Sequence, residues 1–268
     1  VKNKSDLFKC LSAVNQLKMA FVVLGWGSNV IVNDNGFDGL VIQLSDGELD
    51  ISGNVIKAFA GHSLATLVRE SNVKNLCGLG FGGNIPGTVG GAIRGNAGAY
   101  GQAVGDSVES VEVIVIDDEI SLKVLTKEEC EFKYRDSIFK RNEKWVISEI
   151  VFKMNADEAV AKQEAEYVAK EAKDRIAKQP LNFPSAGCAF KNVIYTEDLF
   201  QYKDWAVNGK IPAGRFIEEA DLKGKKIGGA MVSDKHANFI LNVEKATASD
   251  VIQLISLVKT RVRNEFGV

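Results

Sequence analysis

The sequence predicts a chain of mixed helices and strands in two domains, on three observations. Apolar runs of strand length, Phe21–Leu24, Val108–Ile116 and Trp145–Lys153, mark the first half. Residues 157–178 turn to Ala, Glu, Lys and Gln at a helical period, as a surface helix linking two domains would. A last helix with both ends capped closes the chain. The expected division is therefore residues 1–155, then 156–268 comprising the link helix and a second domain. With 268 residues, 46% of them apolar and 25% charged, a sizeable core can form.

Ser5 reads as the N-cap of a first helix, with Leu7, Phe8, Leu11 and Val14 on its apolar side. Phe21–Leu24 is a buried strand stopped by a glycine loop. Residues 30–32 and 40–42 read as strands around the turn at Asn33-Asp34-Asn35-Gly36. Residues 63–71 read as a helix, and a glycine tract follows. Val108–Ile116 and residues 120–125 pair around Asp117-Asp118, and Trp145–Lys153 alternates as a further strand. In the link helix Ala161, Ala165, Val168, Ala172 and Ile176 share one face. A loop at 180–188 leads to short elements and a strand at 239–241. In the last helix Thr247 and Asp250 form a capping box, Val251, Ile255, Val258 and Val262 its stripe, and Gly267 its C-terminal cap.

Composition excludes several classes of function. Lys+Arg 33 against Asp+Glu 35 leaves a formal charge of −2, with no basic footprint for nucleic acid and no polybasic membrane patch. No apolar run approaches the ~20 residues of a membrane span. The opening Val1-Lys-Asn-Lys-Ser-Asp6 reads as neither a signal nor a transit peptide, so a cytoplasmic chain with reduced thiols is expected. Cys10, Cys77, Cys130 and Cys188 lie far apart without a CxxC pair, and His62 and His236 are the only histidines, so no metal site is expected.

Glycine is the outlier, at 25 of 268, and ten of these fall between Gly78 and Gly101. Two loops stand out. Gly25, Trp26, Gly27, Ser28 and Asn29 follow an apolar strand and can turn several N–H groups onto one small anion. A bare turn is the alternative, and no GxGxxG opens a helix there. The second loop runs Asn84-Ile-Pro-Gly-Thr-Val-Gly-Gly-Ala-Ile-Arg-Gly-Asn-Ala-Gly-Ala-Tyr-Gly101. Residues so small bury little apolar area but let main chain lie close to a large flat ligand, with Asn96 and Tyr100 as further contacts. A flexible linker fits poorly, since the stretch has no serine and a single charge, Arg94.

These motifs resemble the MurB family, the UDP-N-acetylenolpyruvoylglucosamine reductases. The resemblance covers nearly the whole chain. Its carriers are Leu24-Gly-Trp-Gly-Ser-Asn29, Ile85-Pro-Gly-Thr-Val-Gly-Gly91, Asn96-Ala-Gly-Ala-Tyr-Gly101, Tyr134-Arg-Asp-Ser-Ile-Phe139, Pro184-Ser-Ala-Gly-Cys-Ala-Phe-Lys-Asn192 and Gly228-Gly-Ala-Met-Val-Ser-Asp-Lys-His-Ala-Asn-Phe239. Gln179-Pro-Leu leading into the cysteine motif is similar to the shorter (type II-like) form. The resemblance implies an α+β fold, with an FAD-binding domain of the vanillyl-alcohol-oxidase/PCMH type followed by a MurB C-terminal substrate-binding domain. It implies FAD as cofactor, NADPH as hydride donor and UDP-N-acetylglucosamine enolpyruvate as substrate, with NADPH leaving before the sugar enters. A monomer is the expected state.

Site residues follow from the same resemblance. Gly25, Trp26, Gly27, Ser28, Asn29, Ile85, Pro86, Gly87, Thr88, Val89, Gly90, Gly91, Asn96, Ala97, Gly98, Ala99 and Tyr100 are expected to bind the cofactor. Arg135 is the cationic clamp on a carboxylate whose charge grows along the reaction, with Tyr134 beside it. Cys188 stands where the family has a proton-donating serine; a thiol, with an ordinary pKa near ~8.5, gives up a proton more readily than a hydroxyl. Lys223 and His236 are expected at the uridine diphosphate, Asn192 at the sugar, and Lys191 among the substrate-binding residues.

The sequence departs from the family elsewhere too. Trp26 replaces a usual glycine, and Gly80 and Asn84 stand where glutamate and glycine are usual. This sequence opens on the first helix, where the resemblance implies a preceding segment. The family's strand after the last helix, carrying a glutamate that pairs with the proton donor, would begin where this sequence stops at Phe266-Gly-Val268. Two readings stay open, a fragment of a longer chain or a variant without that glutamate; weak activity of this chain is the expectation, and a catalytically impaired flavin-binding relative, or another flavoprotein oxidase on the same scaffold, is the alternative.

Overall fold

The first helix starts earlier than its sequence signal. In the computed structural model, which describes residues 1–268, helix α1 (Lys4–Leu17) is capped by Asn3, whose side chain accepts the Asp6 N–H at 2.8 Å. Asn3 is extended, as a cap must be, whereas Ser5 already lies inside the helix. Leu7, Leu11 and Val14 are buried, as their spacing predicts.

Contacts divide the chain into two compact units, residues 1–27 with 38–172, and residues 28–37 with 173–268. In the first unit β1 (Phe21–Leu24) pairs in parallel with β2 (Leu40–Gln43). The strand expected at 30–32 does not form: no strand pairs with it, and Val30, Ile31 and Val32 are exposed. Then come β3 (Leu49–Ser52), β4 (Val55–Phe59), α2 (Leu64–Val73, capped by Ser63), β5 (Leu76–Cys77), α3 (Val89–Gly95), β6 (Gly98–Ala99), β7 (Gln102–Ala103), β8 (Val108–Ile116), β9 (Ile120–Thr126), β10 (Trp145–Lys153) and β11 (Asn155–Ala156). An antiparallel sheet in the order β3-β4-β10-β8-β9 forms its frame. The β8–β9 hairpin has the expected register, with Ile116 opposite Ile120. Leu7, Ile56, Leu67, Ile93, Ile114 and Phe152 fill the core.

Helix α4 (Glu158–Lys178) turns part of the expected face inward. Ala161 is buried and Val168 and Ala172 are half-buried, but Ala165 and Ile176 are exposed, and Glu164 joins Val168 against the glycine tract. The tract offers N–H donors and almost no side chains, so an acidic residue suits it better than an apolar one.

The second unit holds β12 (Val193–Ile194), β13 (Lys210–Ile211), α5 (Ala213–Glu219), β14 (Lys226–Ile227), β15 (Ala230–Val232), β16 (Ile240–Asn242) and α6 (Ala248–Phe266). Strands β14, β15 and β16 form an antiparallel sheet, and Ile217, Leu222, Val232, Leu254 and Val258 make the core. Thr247 and Asp250 form the expected capping box on α6, and Gly267 closes it at φ +76°. Asp34 joins that cap, its carboxylate accepting from Ala248 N–H at 2.8 Å and Ser249 N–H at 3.4 Å, which places the 28–37 loop in this unit. No helix is long and apolar enough to cross a membrane.

Candidate active site

The glycine tract is held in shape by its own main chain. Thr88 caps α3, its hydroxyl oxygen accepting from Gly91 N–H at 3.3 Å. Gly90 N–H donates to Ala60 O at 2.8 Å and Val89 N–H to His62 O at 2.9 Å. A Cβ on Gly90 would sit 2.7 Å from that of Ala60, so the close approach requires glycine. One on Gly25 would overlap the Thr88 hydroxyl, so the first loop and the tract abut. Asn96 ends α3 in the left-handed region (φ +42°), and its side chain ties the loop together: Nδ2 donates to Lys133 O at 2.9 Å and Oδ1 accepts from Gly105 N–H at 3.0 Å. Strands β6 and β7 then turn at Tyr100 and Gly101, both at positive φ (+54° and +89°), the geometry of a tight hairpin.

Tyr134 and Arg135 occupy the tip of another tight turn, closed by reciprocal hydrogen bonds between Lys133 and Asp136 at 3.0 and 3.1 Å. Arg135 has φ +55°, a conformation costly for a branched-out side chain and kept only where surroundings enforce it. Its guanidinium donates to Gly98 O at 2.6 Å and lies 5.5 Å from the Tyr134 ring. That contact sets Arg135 at the edge of the glycine tract, and a five-donor fork bonded to a single carbonyl retains donors for a carboxylate. Ser137, fully buried two residues on, anchors the turn by donating to Arg94 O at 2.7 Å.

In the second unit Cys188 is exposed, makes no disulfide, and forms an isolated antiparallel bridge with Phe239. Asn238, 3% exposed, clamps the next residues: its carbonyl accepts from Ala189 N–H at 2.8 Å, while its side chain accepts from Phe190 N–H at 2.9 Å and donates to Phe190 O at 3.0 Å. Lys191 follows, exposed, and Asn192 accepts from Ala213 N–H at the start of α5 at 3.1 Å. His236 packs edge-on against Phe239 with centroids 4.9 Å apart, and Gly214 of α5 approaches its ring. Burial, with the nearby Lys223 charge as a smaller cause, holds the His236 imidazole below its ordinary pKa. At neutral pH it is therefore a neutral hydrogen-bonding group. Lys223, half-buried and ion-paired with Glu218, carries the positive charge beside it. Cys188, Lys191, Asn192, Lys223 and His236 are thus brought together in one unit, and Gly25, Trp26, Gly27, the 85–100 residues, Tyr134 and Arg135 in the other. Ser28 and Asn29 belong by contacts to the second.

The residues present fit a flat dinucleotide. Nothing lies within 4 Å of a Cβ placed on Gly27 or Gly95, and only the Thr88 hydroxyl approaches one on Gly91, so this main chain is bare of overhanging side chains. The N–H groups of Val89, Gly90 and Gly91 are bonded within the protein, so what these residues offer a ligand is close approach and not donors. Donors for a pyrophosphate would come from residues 26–29, with Ser28 and Asn29 adding side chains.

Two residues that position the site were missed from sequence. Asn238 lay inside a quoted motif without a role; its signal is a polar residue between apolar Ala237 and Phe239. Glu164 gave no signal within a glutamate-rich helix.

Residues 1–121 match the family described as FAD binding domain, and residues 179–268 match UDP-N-acetylenolpyruvoylglucosamine reductase, C-terminal domain. The UDP-N-acetylenolpyruvoylglucosamine reductase of Anoxybacillus flavithermus is 38% identical over 272 residues, spanning 100% of this chain and 83% of its own length. That of Thermotoga petrophila is 38% identical over 268 residues, spanning 98% of this chain and 87% of its own. The crystal structure of UDP-N-acetylenolpyruvylglucosamine reductase from Thermus caldophilus superposes with a TM-score of 0.74 at 32% identity, over 95% of this chain and 85% of that one.

Proposed function

This chain belongs to the UDP-N-acetylenolpyruvoylglucosamine reductase (MurB) family, and from that premise we propose which of its residues do the work. It is an FAD-dependent oxidoreductase of α+β fold that takes hydride from NADPH to the enolpyruvyl group of UDP-N-acetylenolpyruvoylglucosamine, giving UDP-N-acetylmuramate for peptidoglycan synthesis. Bound FAD supplies the carrier that accepts and returns that hydride.

The loop at 25–29 would hold the pyrophosphate, and the main chain of residues 85–91 and 96–100 would lie close to the dinucleotide. Arg135 grips the substrate carboxylate and stabilises the charge that builds there. Cys188 gives the Sγ proton to the α-carbon. Lys223 carries the charge that meets the diphosphate, His236 donates a hydrogen bond to it, Lys191 and Asn192 orient the sugar, and Tyr134 lines the pocket wall. The observation that supports this reading most is the Arg135–Gly98 hydrogen bond, which holds the guanidinium at the edge of the glycine tract. Nothing favours the oxidase alternative, and the reductase match over residues 179–268 speaks against it.

Anaerobic stopped-flow absorbance tests the assignment. NADPH is expected to bleach the flavin band, and UDP-N-acetylglucosamine enolpyruvate to restore it. A band that stays bleached after the sugar nucleotide is added would refute the reductase reading and favour the impaired relative.

A further inference from the structure

We propose that Glu164 is a positioning residue for the flavin: reaching from α4, its carboxylate holds the turn at Gly78 and Gly80 on which the glycine tract begins. The proposal rests on the reading that this tract carries FAD. Glu164 accepts Gly78 N–H at 2.8 Å through one oxygen and Gly80 N–H at 3.0 Å through the other. Two charge-assisted bonds from one carboxylate fix a turn whose only side chain is the apolar, buried Leu79. The fit is close, since a Cβ on Gly80 would sit 2.8 Å from both Cβ and Cγ of Glu164.

The same helix face continues along the tract. One turn on, Val168 covers Gly83, where a Cβ would lie 2.7 Å from its Cγ1, and the Val168 carbonyl accepts from Asn84 Nδ2 at 2.8 Å. A further turn on, Glu171 accepts the Tyr100 hydroxyl. Residues 164, 168 and 171 are spaced i, i+4, i+7, so one helical stripe touches the tract over residues 78–84 and again at Tyr100 near its end. Because that stripe touches the tract through its main chain and side chains, its effect on the flavin is indirect, through the path the tract takes. Glu164 is the member whose two bonds cannot be replaced by packing.

The test is FAD titration of apoprotein, followed by flavin fluorescence and by the fine structure of its absorption band, alongside the apoprotein melting midpoint. Glu164→Ala is expected to weaken FAD ~10- to 100-fold, the size that hydrogen bonds to a charged group carry, and to blur the band, while the apoprotein midpoint stays within a few degrees. Glu164→Gln, with a single acceptor oxygen, should fall between. Gly80→Glu alone should weaken FAD by crowding Glu164. In the double variant Gly80→Glu/Glu164→Gly, which removes the Cβ of residue 164 together with its carboxylate, the new carboxylate has room, and FAD affinity should recover most of the loss seen in Glu164→Gly. Wild-type affinity in Glu164→Ala, or a double variant no better than either single one, overturns the proposal and leaves FAD binding standing. A wild-type apoprotein that takes up no FAD overturns the flavin reading as well.

Discussion

The glycine tract of the first unit and the polar cluster of the second solve opposite problems. The tract presents main chain: Gly90 lies against Ala60, Tyr100 and Gly101 turn at positive φ, and the N–H groups of Val89 and Gly90 bond inward. The cluster presents side chains on a short frame, with Cys188, Asn192 and His236 steadied by Phe239, α5 and Asn238. A tract fails when atoms are added, and a cluster fails when atoms are removed. Substitutions in the two regions should therefore report on different quantities.

The largest effect is expected where an added methyl has nowhere to go. A Cβ on Gly98 would overlap the Gln102 carbonyl across the β6–β7 turn. Gly98→Ala should cost about 3 kcal/mol of stability, the upper range for overpacking, and abolish flavin uptake; melting curves and FAD titration read both. Normal flavin uptake would show that the tract tolerates side chains and dissolve the contrast.

Arg135→Lys comes next and sharpens the first unit's role. A lysine cannot both bond Gly98 O and fork onto a carboxylate. Flavin reoxidation by the enolpyruvyl nucleotide should slow ~100-fold, as for loss of one preorganised donor, while reduction by NADPH keeps its rate. Equal slowing of both half-reactions would mean that Arg135 shapes the tract and does not hold substrate.

Asn238→Ala removes atoms from the cluster. Both polar groups of the Phe190 main chain lose their partner, a loss of about 2 kcal/mol. Urea midpoints of the second unit should fall while FAD affinity holds. A parallel fall in FAD affinity would break the separation between the regions.

The pH dependence is smaller and has a definite sign. Burial lowers the His236 pKa below 6.5, so below that pH the unfolded chain binds more protons than the folded one, and stability falls as pH drops. Denaturation midpoints from pH 7.5 to 5 should show a slope that His236→Gln flattens. Asp250 adds an acid limb: N–H bonds from Thr247 and Gly229 depress its pKa, so its contribution is present above the ordinary carboxylate range and lost as pH falls through the lowered value. Cys188→Ser should move the alkaline limb of the turnover profile, and an unmoved limb with full activity in Cys188→Ala would remove the thiol from the mechanism.

Legibility followed the range of the interactions. The α6 capping box, the Gly267 cap, the β8–β9 hairpin and the buried stripe of α1 were readable, because each depends on residues a few positions apart. The 30–32 strand was misread since apolar alternation needs a partner strand, and β1 instead pairs with β2. The α4 face was read only in part, with Ala161, Val168 and Ala172 inward but Ala165 and Ile176 exposed, because alanine spacing says nothing about what lies opposite. Both glycine loops and the residues around Cys188 were legible as motifs, yet the inward engagement of Val89, Gly90 and Asn96 was not.

Sequence by itself determined the chemistry on offer: a long stretch able to bring bare main chain near a ligand, an arginine beside an aromatic, and a thiol in a motif with lysine and asparagine. Those are properties of residue type and near neighbours, where backbone freedom and side-chain donors are local quantities. Tertiary structure alone decided that Glu164 holds Gly78 and Gly80, that Asn238 holds Phe190, that Arg135 leans on Gly98, and that His236 is neutral beside a charged Lys223. Each depends on desolvation and on hydrogen bonds between groups tens of residues apart, or on charges brought near by folding, and no local pattern encodes which distant donor a buried acceptor will meet.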